Sequence, residues 1–244
     1  MSIFYSFLIT IIAGFSTLIG FVVILFNFKD SKKVINISLS FSSGVMFCIS
    51  VFDLFIESIK LFNIENNIFI SIILFFISFL TGMIITYLIN KFLPENNNLY
   101  KIGLISMIGI MLHNIPEGII TFLMSSANKK IGISIAFAIA MHNIPEGISI
   151  AVPIYHSTKN KKKTFLYVLI SALSEPLGAL IAYLFMQNMM TYLFMGILLS
   201  IVCGVMIYIS LFELLREARM YNKNLSHIVF LIGTVFMLIN LIIM

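Results

Sequence analysis

Two copies of one hexapeptide hold the residues best placed to do chemistry: His113-Asn114-Ile115-Pro116-Glu117-Gly118 and His142-Asn143-Ile144-Pro145-Glu146-Gly147. In each copy histidine and glutamate stand four residues apart, which sets both side chains on one face of a helix. Two such helices supply His113, Glu117, His142 and Glu146, a full ligand set for tetrahedral Zn²⁺. The carboxylates can also bridge a second ion, and Asn114 and Asn143 offer amide oxygens on a neighbouring face. Each proline withholds a hydrogen bond from the carbonyl four residues before it, that of Leu112 or of Met141. Gly118 and Gly147 then let another helix approach closely.

The elements that must position these residues are membrane helices. Hydrophobic residues make up 60% of the 244-residue chain and charged ones only 10%, which leaves too little polar surface for a water-soluble domain. The apolar residues come in runs long enough to cross about 30 Å of hydrocarbon. Eight spans are predicted, near 4–26, 35–59, 67–90, 102–124, 131–155, 164–186, 192–215 and 227–244. The fold expected is an all-α membrane protein, a single polytopic domain over residues 1–244 with short connections. Each hexapeptide falls at the middle of its span, so spans 4 and 5 bring the two copies to one depth.

The acids make the functional argument. Asp53, Glu57, Glu117, Glu146, Glu175 and Glu213 all fall inside spans, and no Lys or Arg lies deep in any span to balance them. An ionisable group at mid-bilayer costs several kcal/mol unless paired, hydrated or neutralised. The missing positive charge must arrive as protons or as metal. Glu175, in Ser174-Glu175-Pro176 of span 6, reads as a further anionic ligand. The formal charge of +5 does not point to nucleic acid, because the cations sit in the loops. Twelve of the fifteen Lys and Arg fall in the loops after spans 1, 3, 5 and 7, which places those loops in the cytoplasm and both termini outside the cell membrane. Cys48 and Cys203 lie singly inside apolar runs and read as small buried residues.

A second repeat joins spans 2 and 7. Gly44-Val45-Met46 through Ser50-Val51-Phe52-Asp53-Leu54 matches Gly204-Val205-Met206 through Ser210-Leu211-Phe212-Glu213-Leu214. Spans of even and odd number cross the membrane in opposite senses, so spans 1–3 and 6–8 are expected as inverted repeats around the central pair, a 3+2+3 arrangement common among transporters. Asp53 and Glu213 become way-stations for an ion, Asp53 toward the outside and Glu213 toward the cytoplasm.

With the paired HNIPEG motifs in spans 4 and 5, the SEPLG stretch in span 6 and eight spans in all, the chain resembles the ZIP family of divalent metal transporters over essentially its whole length, and among them the bacterial ZupT-like members. The resemblance implies a binuclear site, with ligands carried over onto His113, Asn114, Glu117, His142, Asn143, Glu146 and Glu175. It also implies import of Zn²⁺, and often of Fe²⁺, Mn²⁺ or Cd²⁺, by an elevator-like movement. The chain departs from many members in two places. Lys91 to Asn98 replaces a histidine-rich loop, and Phe212 stands where many have a histidine before the span 7 acid.

Two other functions use the same residues. A metal exporter would need the same ligands, since mixed N/O donors accept Zn²⁺, Fe²⁺, Mn²⁺, Co²⁺ and Cd²⁺ and the site says nothing of direction. A membrane metalloenzyme is disfavoured: a zinc protease wants HExxH and a di-iron bundle Glu-x-x-His, and neither occurs. The expected partners are divalent ions and membrane lipids, with a homodimer left open and no separate cofactor.

Overall fold

The computed structural model describes residues 3–26, 28–93, 97–185 and 191–243, without the side chains of 129–131. The predicted loop acid Glu95 and the side chains of Lys129 and Lys130 lie outside the described residues. Every regular element described is helical. Eight helices are long and apolar enough to cross a bilayer: α1 Ile3–Leu25, α2 Ser31–Glu65, α3 Ile68–Phe92, α4 Asn98–Ala127, α5 Gly132–Thr158, α6 Lys161–Phe185, α7 Tyr192–Tyr221 and α8 Lys223–Ile243. All eight predicted spans are present.

Several ends run past the predicted limits because polar residues cap them. Asp30, Asn67, Asn97, Asn160, Thr191 and Asn222 each accept a hydrogen bond from the amide three residues on. Each cap satisfies a first-turn N–H that has no partner within the helix. The caps start α2, α4, α6 and α8 three or four residues ahead of the predicted spans, whereas α3 and α7 begin within one residue of them.

Polarity is inverted relative to a water-soluble bundle. Large apolar side chains such as Phe69, Phe76, Leu80 and Ile84 on α3, and Ile228, Leu231 and Val235 on α8, are exposed. The interior buries Ser38, Ser40, Ser42, Ser43 and Ser50 of α2 alone. Ser42, Ser43 and Ser50 donate to helix carbonyls, and small residues let helix backbones meet.

The helices pack in two groups. In one, α1, α4, α5 and α6 lie against each other; in the other, α2 and α3 pack with α7 and α8. Glycines mark the closest approaches. Cβ atoms at Gly118 and Gly147 would strike the carbonyl oxygens of Glu175 and Thr17, and Gly178 and Gly20 answer by resting on the backbones of Ile115 and Gly147. In the second group Gly44 rests on the carbonyl of Phe230 and Gly204 on that of Phe79, while Gly233 meets Phe41 and Gly82 meets Ile201. Gly44 with Gly204, and Phe41 with Ile201, are positions paired by the spacing of the second sequence repeat.

The junction of α7 and α8 depends on Asn36. Its amide nitrogen donates to the carbonyls of Ala218 at 2.7 Å and Asn222 at 3.1 Å and lies 2.7 Å from Ser226 Oγ. Asn36→Ala leaves these acceptors without that donor, and each unsatisfied buried group costs about 1–3 kcal/mol. The expected result is a lower melting temperature in detergent with an unchanged half-saturating metal concentration for uptake.

Candidate metal centre

α4 and α5 continue as helices through Pro116 and Pro145, so the predicted four-residue spacing holds and each histidine shares a face with its glutamate. His142 Nε2 lies 2.9 Å from Glu117 Oε1, and His113 Nε2 lies 3.2 Å from that same oxygen and 3.5 Å from Glu146 Oε1. One carboxylate oxygen is thus shared by imidazoles from two helices. One ligand atom each from His113, Glu117 and His142 lies within 4.8 Å of the other two. Tetrahedral ligands about 2.0 Å from zinc stand roughly 3.3 Å apart, so small shifts would accommodate the ion.

Of the remaining predicted residues, Glu146 approaches the trio through His113. Glu175 of α6 enters through its Oε1, which accepts a hydrogen bond from Asn143 Nδ2. The same Asn143 nitrogen donates to the carbonyl of Ala13 in α1 at 3.0 Å. Asn143 therefore joins α1, α5 and α6, and its nitrogen faces Glu175. Asn114 is fully buried with neither amide atom bonded to protein. Both oxygens of Glu146, the Oε2 atoms of Glu117 and Glu175 and the Asn143 Oδ1 likewise lack a hydrogen-bond partner.

Buried polar atoms in native proteins nearly always have partners. So many unbonded oxygens around two imidazoles form a donor set that suits a divalent cation. No Lys or Arg forms an ion pair with Glu117, Glu146 or Glu175 among the described residues. Three of the six acids inside the spans thus stand without a basic ion-pair partner among the described residues.

Asp53 and Glu213 lie apart from each other. Asp53 and Glu57 line a cavity of about 220 Å³ whose other walls include Glu117, His142, Ile139 and Met237. That cavity joins Asp53 to two of the central residues. Glu213 lines a separate cavity of about 450 Å³ with Asn90, Asn98, Lys101, Arg216 and Glu217, and none of the central residues reaches it. Glu213 accepts a hydrogen bond from Asn90, and Glu217 accepts one from Asn98.

Two features of the site had little signal in the sequence. Ser42 Oγ donates to the carbonyl of Pro145 at 2.6 Å and ties α2 to the second hexapeptide, yet it is one serine among many. Asn90 was the more legible, being a lone amide near the end of an apolar run.

A family model described as ZIP Zinc transporter matches residues 94–241, which include both hexapeptides and Glu175. Among curated relatives, the zinc transporter ZupT of Clostridium perfringens is 36% identical, over 91% of this chain and 90% of its own. The protein of the same name from Chlorobaculum parvum is 35% identical over 91% of each chain. That of Campylobacter jejuni is 35% identical over 91% of this chain and 89% of its own. The chain therefore belongs to the ZIP zinc transporter family of multi-pass membrane transporters, and it is a transporter rather than an enzyme.

Proposed function

We propose that this protein imports divalent metal ions, Zn²⁺ foremost, across the cell membrane into the cytoplasm. His113, Glu117 and His142 hold one ion. Asn114, Asn143, Glu146 and Glu175 complete the surrounding shell and a second, adjacent position. The observation that carries this reading is the convergence of two imidazoles on one buried carboxylate oxygen, ringed by acids that no cation balances. The relatives named for zinc support the choice of ion, and the same mixed donors accept Fe²⁺, Mn²⁺, Co²⁺ and Cd²⁺.

The direction is supported by the distribution of basic loops, which puts both termini outside. With that orientation the Asp53 cavity opens outward and leads to Glu117 and His142, so ions load from outside. Glu213, in the cavity at the opposite end, lies on the release side. The two helix groups support an elevator-like cycle. The proposed ligands all belong to α4, α5 and α6, whereas Asp53 and Glu213 belong to α2 and α7 of the other group. Sliding the first group past the second would carry the ion from one acid to the other. The glycine contacts paired by the second repeat support an inverted arrangement of α1–α3 and α6–α8 about α4 and α5.

Radiozinc uptake into proteoliposomes of defined protein orientation tests the reading. The expected result is saturable uptake, faster from the face that carries the termini and competed by Cd²⁺, Fe²⁺, Mn²⁺ and Co²⁺. Flux no greater than in protein-free vesicles would refute transport. Faster flux from the opposite face would make the protein an exporter.

A further inference from the structure

α2 and α7 each contain one stretch wound as a π-helix, Ser50–Leu54 and Ile209–Leu214. The two stretches occupy matched positions of the second sequence repeat, and each contains the carboxylate of its span, Asp53 or Glu213. A π turn inserts one extra residue, so every side chain beyond it is re-aimed by most of a helical step. In both turns the amide after the stretch bonds five residues back, Phe55 N–H to the carbonyl of Ser50 and Leu215 N–H to that of Ser210.

These two carbonyls have a second donor each, and the donors are exchanged between the helices. Ser43 Oγ of α2 donates to the Ser210 carbonyl of α7 at 2.7 Å. Cys203 Sγ of α7 lies 3.2 Å from the Ser50 carbonyl of α2, and its S–H is the donor. Ser43 and Cys203 are themselves matched by the repeat, as are Ser50 and Ser210. All four residues are buried. An isolated buried cysteine has an ordinary packing role; here its sulfur faces a carbonyl that closes the partner helix's π turn.

We propose that Ser43 and Cys203 are a reciprocal pair of positioning residues, each holding the π turn of the other helix and thereby setting the aim of one pathway carboxylate. Cys203 holds the turn of Asp53, and Ser43 holds the turn of Glu213. The assignment of those acids to loading and release rests on the function proposed above, but the reciprocal support of the turns does not. A π turn is a local excess of one residue, and an α turn is its natural competitor. The extra donor at the closing carbonyl favours the wider turn, because an oxygen bonded from outside the helix is held away from the axis.

The experiment compares Cys203→Ala and Ser43→Ala with the donor-conserving Cys203→Ser and Ser43→Cys, in full-length protein reconstituted for zinc uptake. Loss of one buried hydrogen bond corresponds to about fivefold in an equilibrium. Cys203→Ala is expected to raise KM for external zinc by about this factor with little change in maximal rate. Ser43→Ala is expected to lower the maximal rate about as much with little change in KM. Cys203→Ser and Ser43→Cys retain wild-type kinetics. Amide hydrogen exchange supplies a readout independent of transport: Phe55 exchanges faster in Cys203→Ala, and Leu215 in Ser43→Ala. Unchanged exchange at both amides overturns the proposal, as does an equal fall of KM-normalised uptake in the alanine and the donor-conserving variants. Asp53→Asn and Glu213→Gln separate the two readings. If exchange rises as expected but neither acid variant alters KM or rate, the turns are held as proposed and the pathway assignment is wrong.

Discussion

Glu117→Gln abolishes zinc uptake and zinc binding while the purified protein remains folded. Glu117 is the hinge of the candidate site: its Oε1 lies 2.9 Å from His142 Nε2 and 3.2 Å from His113 Nε2. Glutamine has nearly the same shape, so the packing of α4 is kept. What disappears is the negative charge that two imidazoles share and one of the few anionic ligands the ion can reach. Mutating groups that merely orient a ligand lowers metal affinity about 10–100-fold, so losing the ligand itself should exceed a hundredfold. Radiozinc uptake gives the rate, and calorimetric titration of the detergent-solubilised protein gives the binding. Wild-type uptake in this variant would remove the His113–Glu117–His142 trio as the transport site.

Gly118→Val is expected to have the next largest effect, by a different route. A Cβ at this position meets the carbonyl oxygen, carbonyl carbon and Cα of Glu175, all of them backbone atoms. No rotamer change can relieve the clash, so α6 must move away from α4. Overpacking of a core costs about 1–3 kcal/mol, and a forced helix displacement belongs at the upper end. Glu175 moves with its backbone, so the variant should lose both thermal stability and zinc uptake. Gly103→Ala is the control. Its two nearest neighbours are the Cγ1 and Cδ1 atoms of the Ile154 side chain, with the Ile154 backbone nitrogen at 3.2 Å, so most of the clash falls on a side chain that can shift. A melting curve and an uptake assay that show Gly118→Val no worse than Gly103→Ala would refute the close-contact argument.

Much of this was legible in the residues because two strong constraints act locally. A membrane helix must be apolar over about 20 residues, so the eight spans could be marked from hydropathy alone. Four-residue spacing on a helix then determines which side chains share a face, so His113 with Glu117 and His142 with Glu146 followed from sequence. The depth of Glu175 followed from the same count of residues. The orientation of Asn143 did not. Its amide is turned by the carbonyl of Ala13, more than a hundred residues away, and no local pattern encodes that partner. The π turns at Asp53 and Glu213 were equally hidden, since the residues that complete them, Ser43 and Cys203, stand on the opposite helix. The helices run past the apolar stretch at Ser31 and Tyr221 because the cap and the Asn36 hydrogen bonds extend structure beyond it. Tertiary partners decide such details, whereas the solvent decides the spans.

The contrast between contacts within a helix group and contacts across the seam has a kinetic consequence. Inside each group, Gly118, Gly147, Gly44 and Gly204 rest on carbonyl oxygens, contacts that leave no side chain to rearrange, so these joints behave as welds. Across the seam, Gly109 of α4 meets the tip of Ile209, a flexible alkyl end that can be pushed aside. The ties that cross it include single hydrogen bonds, Ser42 to the Pro145 carbonyl and Asn98 to Glu217. A boundary of greasy tips and a few releasable latches has low friction. Turnover should therefore be limited by how often the latches let go, and it should respond to their loss far more than to the viscosity of the surrounding lipid.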